Sequence, residues 1–386
     1  MLPSILDGIF NGLSIGSILL LAALGLAIVF GLMGVINMAH GELMMLGAYT
    51  TYVVQNVMRP MGQPFAQSYI FVALIMAFLV AALVGLILEK GVIRFLYGRP
   101  LETLLATWGV SLILQQFVRS VSWGMIIGLL VFCLLFFGGL RLLERRSDFL
   151  NIRKWIILAL LPLSAAIAIT VNVLLGNRFG LTITQPWFGA QNVAVTAPTW
   201  LQGGMPLGNY QLPYTRIFIM LLTALCVAGI YFFLNQTPWG LRIRSVTQNR
   251  NMSACLGIPT QKVDALTFAL GSGLAGIAGC AVSLLGAVGP NTGQNYIVNT
   301  FMVVVVGGVG KLVGTIVGAL VIGVVHFVIG SGILVFLFAP IQPLVDFFAF
   351  FATTSMATVL VFFLIVVFLQ FRPAGLFPQK GRTVDT

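Results

Sequence analysis

Long, uninterrupted apolar runs separated by short polar segments make up most of this chain. A run of about 20 apolar residues can cross the hydrocarbon core of a membrane as a helix. The strands of a transmembrane β-barrel would instead give short segments in which apolar and polar residues alternate. The pattern therefore predicts an all-α fold, a polytopic membrane helical bundle of about 8–11 transmembrane helices. The candidate spans are 9–31, 38–58, 69–88, 104–121, 124–143, 155–175, 215–235, 263–286, 299–325, 332–350 and 354–371.

The composition agrees with this pattern and excludes a soluble globular domain. Of the 386 residues, 59% are hydrophobic and 8% are charged, and the mean hydropathy is +1.06. Soluble domains carry about 25% charged residues, so a chain with so few charges would not be solvated as a globule. We predict a single transmembrane domain over residues 1–386.

Lysine and arginine indicate the orientation, because basic residues concentrate on the cytoplasmic side of membrane proteins. Fifteen of the twenty basic residues lie in 89–103, 141–154, 238–262 and the segment after position 371. Eleven spans with the N-terminus outside place all four segments, and the C-terminus, inside. The first ten residues contain no Lys or Arg, and we expect them to remain as an outside tail.

The net charge of +11 mostly reflects this asymmetry, with membrane lipid as the partner of the basic surface. It does not predict nucleic-acid binding, because no soluble domain is present to carry it. The four cysteines and two histidines lack the spacing of a metal or redox site, so no metal is predicted.

The longest outside connection is the loop 176–214, which is rich in Pro, Gly, Asn, Gln and Trp. Trp187, Phe188 and Trp200 are expected near the lipid headgroups, where aromatic residues are enriched. Two interpretations remain open. The loop is either a lid that covers the spans or a landing surface for a soluble partner.

The inside loop 238–262 predicts a docking helix. Thr237-Pro238 is typical of a helix start or of the end of the preceding span, and Ser245 with Gln248 fits a capping box. Gly257 followed by Pro259 is a helix stop, so we predict a helix of about three turns over 245–257. The alternative is an amphipathic connector lying on anionic lipid, but this helix is polar enough to sit in a protein groove. Its candidate docking residues are Arg242, Arg244, Ser245, Gln248, Asn249, Arg250, Met252, Ala254, Leu256 and Gly257.

A second cluster lies in 34–49, where Asn37 and His40 fall on one helical face and Glu42 on another. Ionisable groups within a membrane are functional candidates, so these three residues are candidates for a translocation path. The alternative is that they are wetted at the inner surface or cap helix ends.

Glycines are concentrated in 270–279 and 307–323, at spacings that let helix backbones approach closely. Gly307, Gly308 and Gly310 beside Lys311 also predict a broken helix near 307–313, since non-helical backbone at membrane depth lines cavities. These glycines are further path candidates, with tight packing alone as the alternative.

Motifs for catalysis are missing from the sequence. Gly310-Lys311 is followed by Leu312, so no GxxxxGK[ST] phosphate loop is formed, and we predict no nucleotide hydrolysis by this chain. No GxSxG or HExxH motif is found either. The chain is not predicted to be an enzyme.

Three segments carry a resemblance to a known family. They are GLAIVFGLMGVINMAHGELMMLGAY (25–49), GLRIRSVTQNRNMSACLGIP (240–259) and FRPAGLFP (371–378). They resemble the permease subunits of ATP-binding-cassette importers in the branched-chain amino acid permease family. Within it, TQPWFGAQNVAVTAPTW, VTQNRNMSACLGIPT and SLLGAVGPNTGQNYIVNTFMVVVVGGVG are most similar to the urea-type permeases. The region 124–175 departs from the shorter members and is expected to hold an extra hairpin with a basic turn.

The resemblance implies a transmembrane permease that docks its 238–262 loop on an ATPase and translocates urea or a related small amide. It implies a second permease, two ATP-binding subunits and a periplasmic binding protein as partners, in a bacterial plasma membrane. This chain would bind no cofactor, and its partner ATPases would use ATP and Mg²⁺. Three alternatives stay open: a permease for branched-chain or other amino acids, a passive channel for small neutral solutes, and a structural subunit.

Overall fold

A computed structural model describes residues 2–143, 160–167, 169–174, 185–207, 210–337 and 342–377. These residues are almost entirely helical, as predicted. The first seven α-helices are α1 (Leu2–Met33), α2 (His40–Met58), α3 (Gln63–Gly91), α4 (Pro100–Ser120), α5 (Trp123–Leu143), α6 (Leu160–Leu174) and α7 (Tyr214–Gln236). They are followed by α8 (Pro238–Gln248), α9 (Arg250–Cys255), α10 (Thr260–Ser283), α11 (Thr292–Gly307), α12 (Leu312–Gly330), α13 (Ile333–Leu337), α14 (Gln342–Phe351) and α15 (Thr354–Phe371).

Short elements complete the description. Three 3₁₀ turns are formed by Arg59–Met61, Ile93–Leu96 and Thr199–Leu201. Strands β1 (Gly204–Leu207) and β2 (Tyr210–Pro213) pair antiparallel, with Met205 opposite Leu212.

Seven of the helices are long and apolar enough to cross a membrane, and α14 with α15 would make eight if that pair, bent by 104°, is one span. A count of seven is one below the predicted range of about 8–11, and a count of eight equals its lower limit. The predicted span 38–58 forms α2, which is too polar to be counted by length and hydropathy. Within the predicted span 332–350 the structure describes α13 and α14, and residues 338–341 lie outside the described part of the chain.

The predicted break near 307–313 is confirmed, and 299–325 is not a single span. Helix α11 ends at Gly307, and Gly308 and Gly310 have φ angles of 100° and 89°, which a side chain would disfavour. After the break α12 returns antiparallel to α11, because Gly307 lies against Gly314 and Val303 against Gly318.

The chain divides into two compact units, Met1–Leu112 with Val193–Thr386, and Ile113–Asn192. In the larger unit α10 lies at the centre, buried on nearly every side, and packs against α1, α2 and α3. Gly276 shows how close these contacts are. A Cβ there would collide with the backbone of Ala77 in α3, and a Cβ on Gly47 in α2 would collide with Gly276. In lipid there is no hydrophobic driving force between helices, so their association depends on close van der Waals packing. Small residues allow that packing because they let the backbones approach.

The smaller unit contains the predicted hairpin. Leu160 at the start of α6 packs against Gly139 of α5. Trp187 packs edge-to-face on Trp123 with 4.9 Å between ring centroids, and its backbone N–H donates to Val121 O at 2.9 Å. Most of the expected basic turn between α5 and α6 lies outside the described residues.

The part of the 176–214 loop that belongs to the larger unit, from Val193 onward, packs on α3 through Trp200. Its indole N–H donates to Gln67 O at 2.9 Å, and its ring stacks on Phe71. Gln55 donates to Thr196 O at 2.7 Å. These contacts tie the loop to α2 and α3, which fits the lid interpretation and leaves the landing surface untested.

Candidate functional site

The segment between α7 and α10 contains two short helices rather than the single helix predicted over 245–257. Thr237 caps α8 as expected, its Oγ1 accepting the Gly240 N–H at 3.1 Å. Ser245 does not cap a helix. It lies inside α8, where its hydroxyl donates to Leu241 O at 2.9 Å. The capping box with Gln248 is therefore wrong, because the helix has already begun at Pro238 and the amides after Ser245 are paired within it.

Asn249 is the cap that the sequence pattern missed. Its backbone is extended, with φ of −152°, and its Oδ1 accepts the Met252 N–H at 2.9 Å. Asparagine is among the best N-cap residues, because its carbonyl oxygen reaches a first-turn amide. One residue thus ends α8 and starts α9.

The predicted stop at Gly257 is confirmed. Gly257 has a φ of 81°, its N–H donates to Ala254 O, and the Ile258 N–H donates to Ser253 O at 3.0 Å. A glycine in the left-handed region is a common way to end a helix. Both ends of α9 are therefore fixed by local interactions.

Arg250 anchors α9 to the bundle. Its Nη2 lies 2.5 Å from Asp264 Oδ2 in the first turns of α10, and its guanidinium lies 4.9 Å above the Tyr97 ring. The Asp264 side chain is only 4% exposed, whereas that of Arg250 is 44% exposed. Such charge-assisted contacts are the strong ones, and here they connect α9 to α10 and to the connection after α3.

Tyr97, which contacts Arg250, also contacts the buried carboxylate of Glu89. The Tyr97 hydroxyl donates to Glu89 Oε1 at 3.4 Å, and Arg94 Nη2 lies 3.5 Å from Glu89 Oε2. Burial, assisted by Asp264 and Glu89, raises the pKa of Tyr97, so its phenol stays neutral and can donate. Asp264, Tyr97 and Glu89 were not predicted as site residues. The available signal was that Glu89 and Asp264 are two of only nine acids and lie next to spans.

The opposite side of α9 is exposed and partly apolar. Met252 and Leu256 are 60% and 75% exposed, and Ala254 and Cys255 are exposed beside them. On the preceding helix α8, Arg242 lies 4.8 Å from the Trp239 ring and Arg244 donates to Asn235. Anchored on one side and exposed on the other, α9 can receive a partner with a complementary groove.

The Asn37, His40 and Glu42 cluster is fully buried, each residue being at most 1% exposed. His40 Nε2 lies 3.1 Å from Ala22 O of α1, and Ser111 of α4 donates to Glu42 Oε1 at 3.0 Å. His40 and Glu42 thus point to different helices, as their spacing predicts. The alternative that these residues are wetted at a surface is wrong, because helices pack around them. The alternative of a helix-end role fits Asn37, which precedes α2 and accepts the Ala39 N–H through its Oδ1 at 3.0 Å. Asn37 therefore does not share a helical face with His40, contrary to the prediction.

The carboxyl-terminal segment forms hydrogen bonds to the end of α11, just before the glycine break between α11 and α12. The Leu376 N–H donates to Val306 O at 2.8 Å and the Phe377 N–H to Gly307 O at 3.3 Å. These are two of the carbonyls that the end of α11 leaves unpaired. Gly307 and Gly308, two of the candidates for a translocation path, therefore contact the segment 371–377, which belongs to one of the stretches that resemble the permease family.

Comparisons with known proteins identify the chain's relatives. The permease LivH of a high-affinity branched-chain amino acid transport system in Salmonella typhimurium is 25% identical over 323 residues, covering 83% of this chain and 84% of that protein. The corresponding BraD of Pseudomonas aeruginosa is 25% identical over 321 residues, with 83% and 84% covered. The ribose import permease protein RbsC of Bacillus subtilis is 29% identical over 104 residues, 25% of this chain and 32% of that protein. No solved structure matches the chain.

A family model described as "Branched-chain amino acid transport system / permease component" matches residues 8–369. Its members, like the relatives above, are transport permeases rather than enzymes. Since that match covers nearly the whole chain, this multi-pass membrane protein belongs to the family of permease components of branched-chain amino acid transport systems.

Proposed function

We propose that this chain is the translocation subunit of an ATP-driven importer and that α8 and α9 receive its ATP-hydrolysing partner. The observation that carries the proposal is the geometry of α9. It exposes Met252 and Leu256 while Arg250 ties its other side to Asp264. A surface that is apolar, exposed and rigidly held suits docking better than a mobile connector would.

The anchor also supplies a route for mechanical coupling. A displacement of α9 acts through Arg250 on α10, and α10 packs against α1, α2 and α3. The stacking of Arg250 on Tyr97 extends the connection towards the end of α3. Packed helices joined by ion pairs are physical elements that can transmit such motion.

For the substrate we propose a branched-chain or similar amino acid. The family description and the names of LivH and BraD support this choice over urea, which was favoured by the sequence segments alone. Urea remains the second candidate, because three segments of this chain resemble urea-type permeases. The partners in this proposal are a second permease, two ATPases using ATP and Mg²⁺, and a soluble binding protein. The complex would lie in a bacterial plasma membrane, with the N-terminus outside and the C-terminus inside.

The deciding experiment compares uptake of labelled leucine and labelled urea at micromolar concentration in cells with and without the gene for this chain. Loss of ATP-dependent leucine uptake on deletion is the expected result. Loss of urea uptake with leucine uptake intact would keep the importer and replace the substrate.

A parallel sample depleted of ATP tests the transport mechanism itself. Flux that persists without ATP would support a passive channel and contradict the importer. No change in either flux on deletion would point to a structural subunit.

A further inference from the structure

A groove between three helices of the larger unit is left open along α7. It encloses about 500 Å³ and is lined by residues of α1, α7 and α12, among them Leu13, Leu20, Met220, Val227, Tyr231 and Ile316. Tyr231 is 61% exposed and Val313, at the same end, is also 61% exposed. The groove therefore opens on the surface of the bundle.

The two aliphatic hydroxyl groups in this groove, those of Ser17 and Thr223, are already paired. The Thr223 O–H donates to Ile219 O at 2.7 Å and lies 3.2 Å from Ser17 O, and the Ser17 O–H donates to Leu13 O at 2.8 Å. Apart from the phenol of Tyr231 at one exposed end, an occupant would therefore meet a mostly apolar wall, because the paired hydroxyls offer it little hydrogen bonding.

One end of the groove becomes cationic. A second cavity of about 420 Å³ shares Tyr231, Leu312 and Val313 with it and adds Arg244 and Lys311. Arg244 donates to the neutral Asn235, and among the described residues no acid pairs with either cation. Two positive charges thus lie at the mouth of an apolar groove, with no acidic partner in the described part of the chain.

The length of the groove matches one leaflet of a membrane. Along α7 it runs from Met220 to Tyr231, which at 1.5 Å per residue is about 16 Å. Half of a hydrocarbon core of about 30 Å is about 15 Å.

We propose that this groove binds an anionic phospholipid. Its phosphate would lie between Arg244 and Lys311, and one acyl chain would lie along the wall formed by α1, α7 and α12. An apolar groove with two cations at one end suits this amphiphile, since basic pockets between helices bind acidic headgroups. An apolar helix of a neighbouring subunit would leave the two charges without a counter-charge.

The test is native mass spectrometry of the full chain extracted from nanodiscs that contain equal amounts of phosphatidylglycerol and phosphatidylcholine. We expect the wild type to retain one phosphatidylglycerol. Lys311→Gln should weaken that retention about fivefold, as expected for one basic residue at a membrane surface. Lys262→Gln is the matched control, because Lys262 is an exposed lysine away from the groove.

A second variant tests the wall without changing the charge. Val313→Trp should fill the groove and reduce retention, while millimolar glycerol phosphate should not compete with the lipid. Equal retention of the two lipids, or equal loss in Lys262→Gln and Lys311→Gln, would overturn the proposal. Displacement by glycerol phosphate would also overturn it, because the site would then bind a free phosphate rather than a lipid.

Discussion

Helices α9 and α10 are neighbours in the chain, yet different interactions hold them. Helix α10 is surrounded by other helices, and glycines such as Gly276 let their backbones touch it. Helix α9 has six residues and buries only Ser253, so packing contributes little to its position. An asparagine cap, a glycine stop and the Arg250–Asp264 ion pair hold it instead.

The difference separates two kinds of sensitivity in one molecule. Around α10, stability depends on volume, because there is no space for an added methyl group. At α9, it depends on a few polar contacts, and the exposed apolar side chains are free to serve a partner. Substitutions should therefore unfold the protein near α10 but affect coupling more than stability near α9.

The largest effect on the free energy of unfolding is expected from Gly276→Val. The new side chain would collide with backbone of α3 and with Ala81, so α10 and α3 must separate. We expect a loss of 3 kcal/mol or more, at the upper end of about 1–3 kcal/mol for overpacking. Thermal unfolding in detergent measures it. Gly286→Val is the control, since a Cβ at Gly286 meets nothing within 4 Å, and equal loss in both variants would contradict the packing argument.

Arg250→Gln should have the next largest effect, because it leaves the buried Asp264 carboxylate without its partner. The loss is expected to be about 1–2 kcal/mol, less than for a fully buried pair since Arg250 is partly exposed. Asp264→Asn should lower the free energy of unfolding by a smaller amount, because the arginine side chain can turn to solvent. In reconstituted vesicles, Arg250→Gln should also lower leucine uptake more than it lowers ATP hydrolysis; coupled transport at the wild-type rate would contradict the anchor.

Removing residues 373–386 should destabilise the glycine break. The deletion removes the hydrogen bonds from Leu376 and Phe377 to the end of α11, each worth about 0.5–1.5 kcal/mol. We expect a loss of about 1–2 kcal/mol and faster amide hydrogen exchange at 304–311. Removing only 378–386 is the control and should leave exchange there unchanged; protection lost equally in both would contradict the capping role.

The smallest effect on stability is expected from Leu256→Ala, within about 0.5 kcal/mol, because the side chain is exposed. Binding of the purified ATPase partner, measured by pull-down, should nevertheless fall at least tenfold. Phe95→Ala removes a similarly exposed apolar side chain from the connection after α3 and should leave binding unchanged. If Leu256→Ala binds the ATPase as tightly as the wild type, then α9 is not part of the docking surface.

Several local features could be predicted because neighbours in the sequence produce them. The start of α8 at Thr237-Pro238, the stop at Gly257 and the break at Gly308 each depend on one or two residues with a strong backbone preference. The Ser245 capping box failed because a competing start lay eight residues earlier in the chain. The sequence pattern alone does not decide which of two possible starts is used.

Contacts between residues that are distant in the chain could not be predicted from these local patterns. Asp264, Tyr97 and Glu89 meet Arg250 or each other only after α3, α9 and α10 have packed. The burial of Glu42 likewise depends on Ser111, which lies 69 residues away in the chain.

By itself, the sequence determined that the chain is a helical membrane protein and where most helices begin and end. The length of apolar runs, helix caps and glycines act within a short stretch of sequence. Their effects can therefore be predicted without knowing which distant residues they contact. Only the tertiary structure decided that α12 turns back along α11, that the C-terminal segment caps α11 and that Arg250 anchors α9. The physical reason is that hydrogen bonds and ion pairs act over a few ångströms, and packing alone brings these distant residues within that range.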